Sequence, residues 1–147
     1  MTHTDYTKLI LNIKDENIHF YENCLEIVNI KEINTKVFRV YLTYNPKCCP
    51  KCGCNNESTD DIIKWNWKRN CKIKMTKVCS YNTILMLDKQ RFLCKHCNRT
   101  FTANTNIVDF HKQISNDTNL NIKLELMEKG SEKDIANRYR VSHNTVE

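Results

Sequence analysis

Two cysteine pairs, Cys49-Pro-Lys-Cys52-Gly and Cys94-Lys-His-Cys97, stand 41 residues apart and constrain this chain more than any other feature. A two-residue spacer lets both thiols of one tight turn face the same ion, and four thiolates at about 2.3 Å close a tetrahedral Zn²⁺ site. A site of that kind leaves no position for water, so it holds a fold and catalyses nothing. The gap exceeds the roughly 15 to 20 residues of a compact ribbon. Two long strands must therefore run between the pairs. Gly53, directly after the first pair, relieves the backbone where it turns toward sulfur.

Cys49, Cys52, Cys94 and Cys97 are the expected ligands of a structural zinc. Cys48 or Cys54 is an alternative to its neighbour, at a wider spacer. Cys71 and Cys79 either extend the ligand set or pack as strand thiols, the second being the simpler reading. His96 sits inside its own turn and is expected to face solvent, and Cys24 lies in an apolar run that would bury it. Nine cysteines are an odd number, and charged residues interrupt residues 1–20, so a secreted disulfide scaffold fits poorly. No apolar run approaches the ~18 residues of a membrane span. A soluble cytoplasmic protein with no membrane partner is expected. The richness in Lys, Asn and Ile points to AT-rich coding and a low-GC bacterium. A thioredoxin-like redox role is disfavoured because no βαβ pattern follows either pair.

Hydrophobic periodicity predicts an α+β chain, a small antiparallel zinc-stabilised β domain followed by a C-terminal helical segment resembling a helix-turn-helix. Residues 1–46 read as a short helix and a small sheet. Within them Phe38, Val40 and Leu42 share one face of a strand and Arg39, Tyr41 and Thr43 the other. Residues 47–101 form the four-cysteine zinc-finger domain, with strands around Ile63–Lys68 and Thr83–Leu93. Trp65 and Trp67 are expected to pack in its core. Residues 102–114 read as a linker and 115–147 as an incomplete helix-turn-helix. In that last part Asn116, Asp117 and Thr118 offer helix caps, and Leu120, Leu124 and Met127 recur at helical spacing up to Gly130. A second helix opens at Ser131. Ala136 supplies the small residue that packs helix on helix, and Val141 and Val146 the aliphatic anchors. Ser142 is a natural cap for the reading helix, which would present His143, Asn144 and Thr145 and then stop.

Charge is concentrated in the middle. Residues 64–99 carry ten basic residues and one acid, Asp88, whereas the rest of the chain is mildly acidic. That is the footprint of a polyanion-binding surface. Lys68, Arg69, Lys72 and Lys74 on the first strand, Lys89 and Arg91 on the second, and Arg99 beyond it are the candidate phosphate contacts. A solvated lysine-rich face is the plain alternative.

The order of these features resembles the N-terminal part of insertion-sequence transposases of the ISL-three type. There a zinc finger reading much like KCCPKCG and RFLCKHCNRTF precedes a helix-turn-helix reading like SEKDIANRYRVSHNTV. The resemblance covers approximately residues 5–147. It implies that Cys49, Cys52, Cys94 and Cys97 hold zinc, that the protein binds double-stranded DNA at the element's terminal inverted repeats, and that a carboxylate catalytic domain would follow. Asp60, Asp61, Asp88, Asp109 and Asp117 read as loop, strand-edge and cap residues rather than a two-metal site. No strand-transfer activity is expected of this chain, which reads as a truncated transposase. The competing class is a zinc-ribbon interaction module that docks on a second copy of itself or inhibits an intact transposase. A decayed fragment without a selected role is the third reading.

Overall fold

The computed structural model describes residues 3–57, 60–108, 114–127 and 132–139. Helix α1 (His3–Ile10) leads into strands β1 (Ile18–Ile30) and β2 (Ile33–Leu42). Strands β3 (Ile62–Val78) and β4 (Tyr81–Cys94) follow, then a short β5 (Thr100–Thr102) and helices α2 (Asn116–Met127) and α3 (Glu132–Tyr139). The chain is thus mostly sheet with a few short helices.

The strands form one sheet in the order β1-β2-β4-β3, with β5 pairing the end of β4. β2 and β4 run parallel, with Phe38 beside Leu85 and Val40 beside Leu87. The sheet is therefore mixed rather than wholly antiparallel as expected. The boundary drawn at residue 46 falls inside it, because residues 1–46 and 47–101 supply adjacent strands. The reason lies in β4, where Thr83, Leu85, Leu87 and Phe92 are fully buried. A strand apolar to this degree belongs in the interior of a sheet, and β2, with Val37, Phe38, Val40 and Leu42 buried, completes its open side.

The pleat sorts the residues as period two requires. Phe38, Val40 and Leu42 face inward with Leu85, Leu87, Ile73 and Met75, and Leu11 and Ile13 after α1 close this core. Arg39 and Tyr41 face outward and stay half exposed. Bulges interrupt the parity of β3 between Lys64 and Asn66 and between Lys68 and Cys71. The first of them overturns the expectation for the tryptophans. Trp65 sits at the bulge and is 57 % exposed, and Trp67 lands half-buried on the outer face beside Tyr41, away from the core.

Both long hairpins close on two-residue turns with positive φ at each centre, Lys31 and Glu32 (50° and 66°) and Cys79 and Ser80 (51° and 66°). These are type I′ turns, which ordinarily call on Asn and Gly. Cys79 is accordingly a turn residue and not a strand-packed thiol, whereas Cys71 and Cys24 pack against the core. Replacing Lys31-Glu32 by Asn-Gly is expected to raise stability by about 1–2 kcal/mol, since each left-handed L-residue costs that order. A urea midpoint that does not rise would refute this.

Helix α2 is capped by Ser115, one residue before the expected caps. The Thr118 amide donates to Ser115 Oγ at 3.3 Å. Ile114 bridges to Lys74, and the Ser115 amide donates to the Lys74 carbonyl at 2.9 Å, so the helix is tied to the outer edge of β3. This attachment turns Thr118 and Ile122 inward. The expected stripe of Leu120, Leu124 and Met127 consequently faces solvent. On α3, Ile135 and Ala136 are buried against Ile122, with Leu126 and Tyr139 alongside, so Ala136 does pack one helix on another. Tyr139 donates to Glu125 at 2.8 Å, and burial, reinforced by that carboxylate, pushes the phenol up to about 12. Val141, Ser142, His143, Asn144, Thr145 and Val146 lie outside the described residues. Ile135→Ala is expected to cost about 2 kcal/mol and to speed amide exchange in α2 and α3 while β4 stays protected. No helix among the described residues is long and apolar enough to cross a membrane.

Candidate metal centre and basic surface

The two cysteine pairs occupy matching turns at the open end of the β3–β4 hairpin. In the first, the Cys49 amide donates to the Cys54 carbonyl at 2.9 Å. In the second, the Cys94 amide donates to the Arg99 carbonyl at 3.0 Å. Each turn then needs a left-handed residue directly after its second cysteine. Gly53 supplies it at φ 76° and Asn98 at φ 54°, Asn being the L-residue that tolerates this conformation best. Side chains fix both turns to the start of β3. Asn56 donates to the Pro46 carbonyl and accepts from the Ile62 amide. His96 reaches Asp61 at 3.3 Å, turned away from the cysteines.

The result is one cluster. The sulfurs of Cys49, Cys52, Cys94 and Cys97 all lie within 4.8 Å of one another and could hold a metal ion. Cys49 stands 3.8 Å from Cys97 and Cys52 3.7 Å from Cys94. A regular tetrahedron with bonds of about 2.3 Å has edges of about 3.8 Å, and these two distances have that length. The Lys51 amide faces Cys49 Sγ at 3.4 Å. The thiols are unequal proton holders. Cys94 is held down to about 7 by the Cys97 amide, which outweighs the opposing desolvation, and the His96 amide adds to the effect. Burial pushes Cys97 up. Against the Cys54 amide, which lowers it, desolvation and the surrounding thiols push Cys52 up. Metal binding displaces such shared protons. Cys48 and Cys54 flank the first turn and Cys71 and Cys79 lie along the hairpin, none of them within the cluster.

The candidate phosphate contacts do not form one patch. Lys68 and Lys89 are paired neighbours and Arg91 follows two residues later, which places this trio on the inner side of the sheet by register. There Arg91 donates to Thr100 Oγ1 at 3.2 Å and Lys89 is half-buried. Arg69, Lys72 and Lys74 lie along β3 on the outer face, as does Lys64, which pairs with Phe92. Arg99 and Lys95 are exposed in the second cysteine turn, and Lys47 and Lys51 are exposed at the first. The last two lie before residue 64, and a count restricted to residues 64–99 leaves them out.

Asp88, the one acid of that segment, lies on the outer face beside Tyr41 and is covered there. Its carboxylate accepts from Tyr21 Oη at 2.7 Å, from Arg69 Nη1 at 3.1 Å and from the Asn70 amide at 2.9 Å, and the residue is 8 % exposed. The second β3 bulge, with Asn70 at φ 56°, presents that amide. Desolvation, and secondarily Asp88, pushes the Tyr21 phenol up. Sequence reasoning missed this network because it joins residues 67 positions apart. Asp88→Asn removes the charge and turns an amide toward one of the donors, at an expected cost of about 2 kcal/mol. Equilibrium urea unfolding checks it, and no loss would mean that the three contacts are idle.

Comparison with known protein families, with curated proteins and with solved structures gives no match.

Proposed function

We propose that this chain is a zinc-held DNA-binding module of the kind that recognises the ends of an insertion sequence, without a catalytic step of its own. The carrying observation is the pairing of a four-thiol cluster with a strand, β3, that exposes Lys64, Lys68, Lys72 and Lys77 and has no Asp or Glu in its own sequence. Zn²⁺ is the ion of choice because four cysteines at tetrahedral spacing suit a soft-tolerant cation with no geometric demand of its own. Cys49, Cys52, Cys94 and Cys97 would hold it, and it would supply folding free energy only. The motif resemblance narrows the partner to double-stranded DNA at element ends, with Ser142 capping a short reading helix of His143, Asn144 and Thr145 that would add little base readout. Phosphates would be met chiefly by Lys64 and Lys72, with Arg99 beside the cysteine cluster.

The plain reading of lysines on an edge strand is protection against strand-to-strand aggregation. Electrophoretic retardation of a duplex carrying terminal inverted repeats, against a scrambled duplex, separates the two. Binding at low salt supports the proposal, and its absence overturns it. One observation favours the interaction-module reading instead. β1, the opposite edge, exposes Leu25, Ile27, Val28 and Ile30 and carries no lysine or arginine. A concentration-dependent dimer with no DNA affinity at low salt would select it.

A further inference from the structure

The outer face of the sheet carries a row of aromatic rings that the core does not need. His19 and Tyr21 on β1 stack obliquely on Tyr41 of β2 at 5.1 and 4.9 Å, and Trp67 of β3 meets Tyr41 edge-on at 6.0 Å. The rings come from three strands and form one continuous row. It differs from the molecule's other aromatic group, Tyr44, Phe92 and Phe101, which packs against the hydrophobic core around a fully buried Phe92. Its rings are held at fixed angles. The Tyr21 hydroxyl is bonded to Asp88 and the Arg69 guanidinium lies 5.9 Å from the Trp67 ring. Along one side run the exposed cations of β3, with Lys64 and Lys72 on this same face. Beyond the row, a cleft between Thr35, Ile84 and Lys74 on the sheet and Ala136 and Asn137 on α3 continues the surface.

A rigid aromatic row with a cationic border has the two features that an unpaired strand requires, flat surfaces for bases and positive charge for the phosphates. A duplex cannot use the rings, because its bases are already stacked on each other. We propose that His19, Tyr21, Tyr41 and Trp67 form a platform on which two or three unpaired DNA bases stack, their phosphates following Lys64, Arg69 and Lys72. The platform rests on the nucleic-acid reading above and specifies the form of DNA this face takes. A frayed or single-stranded segment next to the duplex satisfies it.

The test uses the full zinc-loaded chain carrying Trp65→Phe, which leaves Trp67 as the reporter. Titration with a short oligothymidylate is expected to quench Trp67 emission. An abasic strand of equal length should bind at least about tenfold more weakly, given what base-on-ring stacking contributes. Tyr41→Leu should lower oligothymidylate affinity about tenfold with zinc content unchanged. If that variant does not fold, the abasic comparison in the parent chain decides alone. Equal binding of the abasic strand, or bound oligothymidylate that leaves Trp67 unquenched, overturns the platform even where duplex binding persists. Tighter binding of oligouridylate than of oligothymidylate overturns its assignment to DNA. Failure of every strand and duplex to bind sinks the proposed function along with it.

Discussion

Removing the zinc proposed for the four-cysteine cluster with a strong chelator is expected to melt the entire sheet, not the cysteine-bracketed part alone. The cluster joins the first turn to the last residue of β4, so it closes the open end of the hairpin. β4 lies between β3 and β2, and the core runs without interruption from Ile62 and Cys94 to Leu11 and Ile18. Structural zinc contributes on the order of 10 kcal/mol in small modules, comparable with the net stability of a whole domain. Far-ultraviolet circular dichroism should lose its strand signal in one transition, with one zinc released per chain. Co²⁺ in place of Zn²⁺ should show tetrahedral d–d bands with thiolate charge transfer. Cys94→Ser should lose both signatures, whereas Cys48→Ser should keep them. An unchanged spectrum and protease resistance after chelation would defeat the structural-metal reading.

DNA affinity should fall steeply with salt. If about five phosphates are neutralised, the logarithmic slope is about −4.5, a loss of roughly 500-fold between 50 and 200 mM salt. The triple variant of Lys64, Lys68 and Lys72 to Gln should weaken binding to all sequences alike and flatten the slope by about two if the duplex meets the outer face, and by about one if it meets the inner. Two of these lysines lie on the outer face and Lys68 on the inner by register. Single variants therefore report which side of the sheet the duplex meets. A slope near zero in the parent chain would show that the cations are solvated and that the edge strand is merely protected by them.

Much of the four-cysteine cluster was legible because the two-residue spacer is a local constraint, and local constraints survive folding. The strand pair between the cysteines followed from the length of the gap. What the sequence concealed was non-local. The parallel pairing of β2 with β4 joins residues such as Val40 and Leu87, for which no short-range periodicity speaks. The bulge at Trp65 broke an alternation that reads as regular along Ile63, Trp65 and Trp67. Leu120, Leu124 and Met127 looked like a buried stripe because helical spacing was counted without knowing where the helix attaches. Its attachment through Ser115 and Thr118 to Lys74 turned them outward. The hairpin turns went unmarked because Lys-Glu and Cys-Ser stand where Asn-Gly would have signalled them.

The parallel register of β2 on β4 also sets the order of events as the chain is made. β1 and β2 can meet early, but the strand that completes them ends at Cys94, and the last cysteine follows at Cys97. Until that stretch has emerged, the hairpin of residues 18–42 keeps both edges open, one of them rich in aliphatic side chains. Pairings of such long sequence separation form slowly. The first third of the molecule therefore waits on its middle before its open edges are covered.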